Sequence, residues 1–132
     1  MIASLAAAFA LASPAFHSGA TIPVRYTCDG ANVSPALRWT APPKGTASFS
    51  VRVFDPDAPG GGFLHWQIAR LRPTARGLPS ASKLGGPNGA GANGYTGPCP
   101  PSGTHHYRFE VRARSATGKV LAVARLVGLY HR

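Results

Sequence analysis

The segment from His105 to Ala113 limits what this chain can fold into more than any other stretch. His105, Tyr107, Phe109, Val111 and Ala113 share one parity, and His106, Arg108, Glu110 and Arg112 share the other. Such alternation puts an apolar set on one face of a β-strand and a charged set on the opposite face, whereas a helix would mix them. Ser48–Phe54 repeats the pattern, with Phe49, Val51 and Val53 facing one way and Ser50 and Arg52 the other. Ala36–Thr40 and Leu64–Leu71 read as further strands, stopped by Pro42-Pro43 and Pro73. Val120–Tyr130 is apolar on both parities, as a central strand buried on both sides would be, with a buried helix as the competing reading. The 16 Gly and 13 Pro cluster at turns without a period. Many short strands joined by tight turns predict an all-β, mainly antiparallel sandwich or barrel.

A chain of 132 residues is one domain's worth. Phe9–Phe16 reads as a first strand, so the domain is expected to span residues 9–132. Residues 1–8 would then be the remnant of a leader or a frayed end. The compartment follows from that choice: cytoplasmic, or exported if the apolar start belongs to a leader. No stretch reaches the roughly 18 apolar residues that span a bilayer, so no membrane span is expected. From Thr74 to Gly97 there is no periodicity, and a loop that long is usually functional or mobile.

Fourteen Lys plus Arg stand against four Asp plus Glu, a net charge of +10. That balance attracts anions. The arginines are scattered from Arg25 to Arg132 without forming a tail or stripe, and no nucleic-acid motif accompanies them, so no specific nucleic-acid partner is expected. Two of the four acids fall in Asp55-Pro56-Asp57-Ala58-Pro59, directly after the Phe49 strand. Prolines there fix the backbone around two carboxylates at a sheet end, although an Asp-rich turn can also serve only its own backbone. His65-Trp66 opens the next strand, Gly97-Pro98-Cys99-Pro100-Pro101 is a stiff segment poor in N–H groups, and His105 and Tyr107 share the core-facing parity. His106 should face outward. Converging Asp, His and Tyr can hold a divalent metal, form an acid–base pair, or hydrogen-bond a phosphate or carboxylate. A histidine beside a carboxylate is expected to favour its protonated form, with a raised pKa, and two paired carboxylates are expected to be hard to ionise together. Cys28 and Cys99 are either free and buried or joined in one disulfide; two cysteines alone make no zinc knuckle.

Several stretches together resemble the phosphatidylethanolamine-binding protein family, in particular its bacterial and archaeal Raf kinase inhibitor-like branch. They are Tyr26-Thr-Cys-Asp-Gly-Ala-Asn-Val-Ser-Pro-Ala-Leu-Arg-Trp39, Phe54-Asp-Pro-Asp-Ala-Pro59, His65-Trp66, Gly94-Tyr-Thr-Gly-Pro-Cys-Pro-Pro-Ser-Gly103 and His105-His-Tyr-Arg-Phe109. The resemblance runs from about Phe9 to Arg132 and implies a β-sandwich with a small anion pocket at one end. It implies a non-catalytic binder of small anions or phospholipid head groups, without a cofactor or metal, acting on a kinase or protease partner. By motif match the pocket residues are Asp55, Asp57, Pro59, His65, Gly97, Pro98, Pro101, His105 and Tyr107, and the resemblance suggests a cis peptide at Ala58–Pro59. The rival is a hydrolase or metal-dependent enzyme built on Asp55, Asp57, His65 and His105. Two departures stand out. Only Ser115-Ala-Thr-Gly-Lys119 occupies the place of the family's usual helix before the last strand, so few or no helices are expected. The segment from Arg76 to Ala92 is also short.

Overall fold

The computed structural model describes residues 8–132. The expectation for residues 1–8 therefore lies, but for Ala8, outside the described residues. Among the described residues seven strands form two antiparallel sheets. One is small, made of β1 (Leu11–Ala12), β2 (Leu37–Trp39) and β5 (Gly77–Leu78), in the order β1-β2-β5. The other is built from β3 (Ser48–Asp55), β4 (Phe63–Leu71), β6 (Thr104–Arg114) and β7 (Val120–His131), in the order β4-β3-β6-β7. The only regular helical element among the described residues is a 3-10 turn at Val24–Tyr26, and no helix is long and apolar enough to cross a membrane.

One core lies between the sheets. Leu11, Leu37, Trp39 and Leu78 come from the small sheet, and Phe49, Val51, Val53, Trp66, Ile68, Phe109, Val111 and Leu126 from the large one. Trp39 meets Phe49 ring to ring at 5.6 Å and donates its indole N–H to the Ala75 carbonyl at 2.9 Å. Each core residue of β3 and β6 falls on the apolar parity read from the sequence, because the side-chain period of two has one buried face to satisfy.

Three sequence expectations change. The strand expected over Phe9–Phe16 pairs only at Leu11–Ala12. Past it Ser13 turns its hydroxyl onto the Ala36 carbonyl, and Pro14 has no N–H to give a ladder. β7 is an edge strand rather than a central one, and Val120, Leu121 and Val123 near its start are exposed. There is no cis peptide at Ala58–Pro59 or elsewhere among the described residues. The chain turns instead on Gly60, Gly61 and Gly62, whose φ values of +78°, +93° and +114° only glycine adopts readily.

The aperiodic segment after Thr74 holds β5 and then runs along the outer edge of β4. Gly86, Gly89 and Thr96 donate backbone N–H groups to the carbonyls of Gln67, Leu64 and His65, at 2.9, 2.8 and 2.9 Å. It therefore covers a sheet edge that would otherwise be free to pair. Cys28 and Cys99 are joined in a disulfide across 71 residues of sequence separation.

On the outer face of the large sheet a single carboxylate is buried. Glu110 is 1% exposed and takes Arg52 Nε on Oε1 and Arg125 Nε on Oε2, both at 2.6 Å, with Arg112 at 3.4 Å. Burial raises its pKa, but the hydrogen bonds from Arg52 and Arg125 outweigh that and hold the carboxyl below its ordinary value. A carboxyl held low stabilises the fold above its unfolded pKa and loses that contribution as pH falls through the folded value. Glu110→Gln should therefore cost about 1.5–3 kcal/mol at neutral pH, toward the lower end because the arginines are partly exposed. It should also flatten the acid limb of the stability curve. A urea midpoint unchanged at pH 7 would contradict this. Replacing both cysteines by serine should cost roughly 4 kcal/mol by the chain-entropy account, read from the same titration; a loss below about 1 kcal/mol would contradict it.

Candidate functional site

The β3–β6 register brings the site together. Phe54 pairs with Arg108, so Asp55, the last residue of β3, lies at the end where β6 begins with His105 and Tyr107. Asp55 is 2% exposed, and its Oδ2 accepts Nδ1–H of His105 at 2.6 Å while its Oδ1 accepts the Asp57 N–H at 2.8 Å. The carboxylate thereby fixes the His105 ring and leaves its Nε2 as the nitrogen available to a ligand.

His65 reaches the same space through an irregularity in β4. Val53 pairs with Trp66 and Phe54 with Leu64, so His65 is an extra residue opposite no partner. Such a bulge re-aims a side chain, and here it buries both His65 and Trp66, which simple alternation places on opposite faces. The His65 Nδ1–H donates to the Thr96 carbonyl at 2.7 Å. Burial lowers the His65 pKa, and the Thr96 carbonyl and Asp55 charge pull upward without prevailing. The expectation of a raised histidine pKa is thus reversed at His65: its ring is neutral at pH 7, with Nε2 carrying a lone pair.

Tyr107 lies between the two imidazoles, edge-on to His65 at 5.2 Å and stacked on His105 at 6.4 Å. Its hydroxyl is buried and has no hydrogen-bond partner. Burial, with the charges of Asp55 and Asp57, pushes its pKa far above the usual tyrosine range, so it remains an O–H donor. An unpaired buried hydroxyl costs about 1–3 kcal/mol.

These groups line a cavity of about 330 Å³ at the end of the large sheet. Of the residues expected there, Asp55, Pro59, His65, Gly97, Pro101, His105 and Tyr107 form its walls. Asp57 does not. Its Oδ2 accepts both the backbone N–H and Nδ1–H of His106, at 2.8 and 2.7 Å, on the exposed side of the strand. Those bonds lower the Asp57 pKa, so the two aspartates diverge rather than compete for one proton. Pro98 is also off the wall, fully buried behind it, with its carbonyl accepting the Cys28 N–H at 3.1 Å. His106 faces outward and His105 inward, as the alternation predicts.

Sequence reasoning missed Ala58, Phe63, Ala90, Thr96, Cys99 and Pro100 as wall residues. Ala58, Thr96, Cys99 and Pro100 fall inside the motifs given above, and Phe63 precedes His65 by two positions on one strand, so these five carried a readable signal. Ala90 carried none.

The Tyr26–Trp39 motif supports the cavity from behind. Asn32 Oδ1 accepts the Gly97 N–H at 2.7 Å, the Tyr26 carbonyl accepts the Tyr95 hydroxyl at 2.6 Å, and Cys28 is bonded to wall residue Cys99. A Cβ on Gly97 would collide with the Tyr26 carbonyl and with Asn32, so that approach requires glycine. Among the described residues no three His, Cys, Asp or Glu side chains gather as metal ligands.

Comparison with known proteins places this arrangement. The sequence matches the family described as phosphatidylethanolamine-binding protein over residues 12–130. It is 49% identical over 105 residues to the putative lipoprotein LppC of Mycobacterium tuberculosis, covering 75% of this chain and 52% of LppC; the chain spans about half the length of that relative. A UPF0098 protein of Methanothermobacter thermautotrophicus is 38% identical over 148 aligned positions, covering 92% of this chain and 98% of that protein. The fold matches the crystal structure of the putative phosphatidylethanolamine-binding protein homologue CT736 of Chlamydia trachomatis, with a TM-score of 0.87, 31% identity and coverage of 95% and 98% of the two chains. It also matches E. coli YbcL, described as a member of the mammalian PEBP family, with a TM-score of 0.86, 30% identity and coverage of 96% and 99%. On sequence and structure together, the chain belongs to the phosphatidylethanolamine-binding protein family.

Proposed function

We propose that the cavity binds a small anion, of the class of a phosphate-bearing head group, without carrying out chemistry on it. The observation that carries this reading is the Tyr107 hydroxyl, a buried donor with no partner in the protein, between two histidines whose Nδ1 atoms are already engaged. An oxyanion on Tyr107 Oη satisfies the hydroxyl, and the neighbouring His65 Nε2, an acceptor while the ring is neutral, becomes a donor to it once the ring takes up a proton. The volume suits a head group rather than a whole lipid, and Phe63, Pro59, Pro100 and Pro101 supply apolar walls. The sole wall carboxylate, Asp55, spends one oxygen on His105 and the other on the Asp57 N–H, so it is screened from an incoming anion. Through such binding the protein would act on a kinase or protease partner, a role that rests on family membership.

One observation favours a second reading. The 2.6 Å Asp55–His105 pair has the form of an acid–base dyad, as a hydrolase would use. Steady release of inorganic phosphate from phosphoethanolamine, lost in His105→Ala, would establish that reading in place of binding alone.

Glycerophosphoethanolamine, a diester whose charge is constant near neutrality, is the suitable probe for calorimetry. Tyr107→Phe should weaken binding about tenfold or more, since it removes one hydrogen bond to a charged group. Because burial holds the free His65 ring below its ordinary pKa, an anion at Nε2 should bind more tightly as pH falls below about 6.5. Affinity should be flat from about pH 7 to 8, and His65→Ala should diminish the acid gain. Equal binding by Tyr107→Phe and the parent would contradict the anion-pocket reading.

A further inference from the structure

The outer face of the large sheet and its β7 edge lie away from the cavity and carry features that anion binding there does not use. Arginines scattered in sequence are gathered on one surface. Arg108, Arg112 and Arg114 of β6, Arg52 of β3 and Arg125 of β7 share the outward parity with one carboxylate, Glu110. Beside them Val120, Leu121 and Val123 are 39%, 37% and 40% exposed.

The β7 edge is half covered. Ser18–Ile22 runs along its second half: Gly19 N–H donates to the Val127 carbonyl, Ile22 N–H to the Leu129 carbonyl and Leu129 N–H to the Ala20 carbonyl, at 2.7, 2.7 and 2.9 Å. The Val127 N–H ends on the Ser18 hydroxyl at 3.2 Å. Val127 and Leu129 therefore turn their backbone groups away from β6. By the period of two, Val123 and Arg125 do the same, and among the described residues nothing pairs with them. An open edge with exposed aliphatic side chains is a template for another strand.

The geometry points to β7 from Leu121 to Arg125 as a docking edge for an extended, acidic segment of a partner protein, added as a further strand of the large sheet. Backbone groups of Val123 and Arg125 supply the ladder bonds, and the outward side chains of the added strand, on the face that Val123 shares with the arginines, carry the carboxylates that meet Arg112, Arg114 and Arg125. Charge selects the occupant. A second copy of this chain, itself at +10, would bring two arginine-rich edges together, whereas an acidic strand neutralises them. The proposal is independent of the cavity reading.

The test uses the full chain and a fluorescent Asp-Val-Asp-Val-Asp-Val peptide, with Asn-Val-Asn-Val-Asn-Val as the uncharged control. The acidic peptide should bind, more weakly as salt rises, and should slow amide exchange at Val123 and Arg125. Val123→Pro removes only an outward N–H, which an edge strand tolerates, and Val123→Asp adds a repelling charge. Each should weaken binding at least about tenfold while the thermal midpoint and cavity binding are retained. The proposal is overturned if the acidic peptide fails to bind, if the control binds equally, or if both variants bind like the parent. It is also overturned if sedimentation shows a dimer that Val123→Asp dissolves, or if phosphatidylglycerol vesicles bind and the acidic peptide does not.

Discussion

The antiparallel pairing of β3 with β6, from Ser48 opposite Arg114 to Phe54 opposite Arg108, decides which side of the large sheet is inside. With that register Phe49, Val51 and Val53 join Phe109, Val111 and Ala113 in the core, while Arg52 meets Glu110 outside. A slip of one residue would send every one of these side chains to the wrong face. It would also part Asp55 from His105, because their contact exists only where the end of β3 meets the start of β6. The same pairing thus sets the core, the buried Glu110 cluster and the mouth of the cavity.

Much of this was legible because alternation is a local property. The faces of β3 and β6, the inward His105 and the outward His106 follow from parity alone. What the sequence hid depends on contacts distant in the chain. The bulge at His65 breaks parity where β4 meets β3, so no periodicity in β4 itself reveals it. Asp57 looks like Asp55 in sequence, but two donors from His106 draw it outward. β7 looks doubly buried because its outer face is as apolar as its inner one, and only the strand order shows that it is an edge. Whether Cys28 meets Cys99 depends on the turn at Val24–Tyr26 packing behind the Gly97 loop, which spacing does not encode.

The cavity sets buried polarity against packing. Each imidazole is locked at Nδ1, by Thr96 or by Asp55, and the backbone around Gly97 is fixed by Asn32 and the disulfide. Preorganisation of this kind reduces what a ligand must order on binding. Its cost is concentrated in Tyr107, whose hydroxyl is left without a partner in the protein and whose pKa keeps it a donor. His65 pays nothing comparable, since burial keeps its ring neutral.

The central claim is that this hydroxyl is reserved for an anion, and a crystal soaked in phosphoethanolamine tests it most directly. The account predicts phosphate density in the cavity with one oxygen about 2.5–3.0 Å from Tyr107 Oη and others facing the Nε2 atoms of His65 and His105. Density confined to the arginine-rich outer face, with the cavity holding only water, would contradict it.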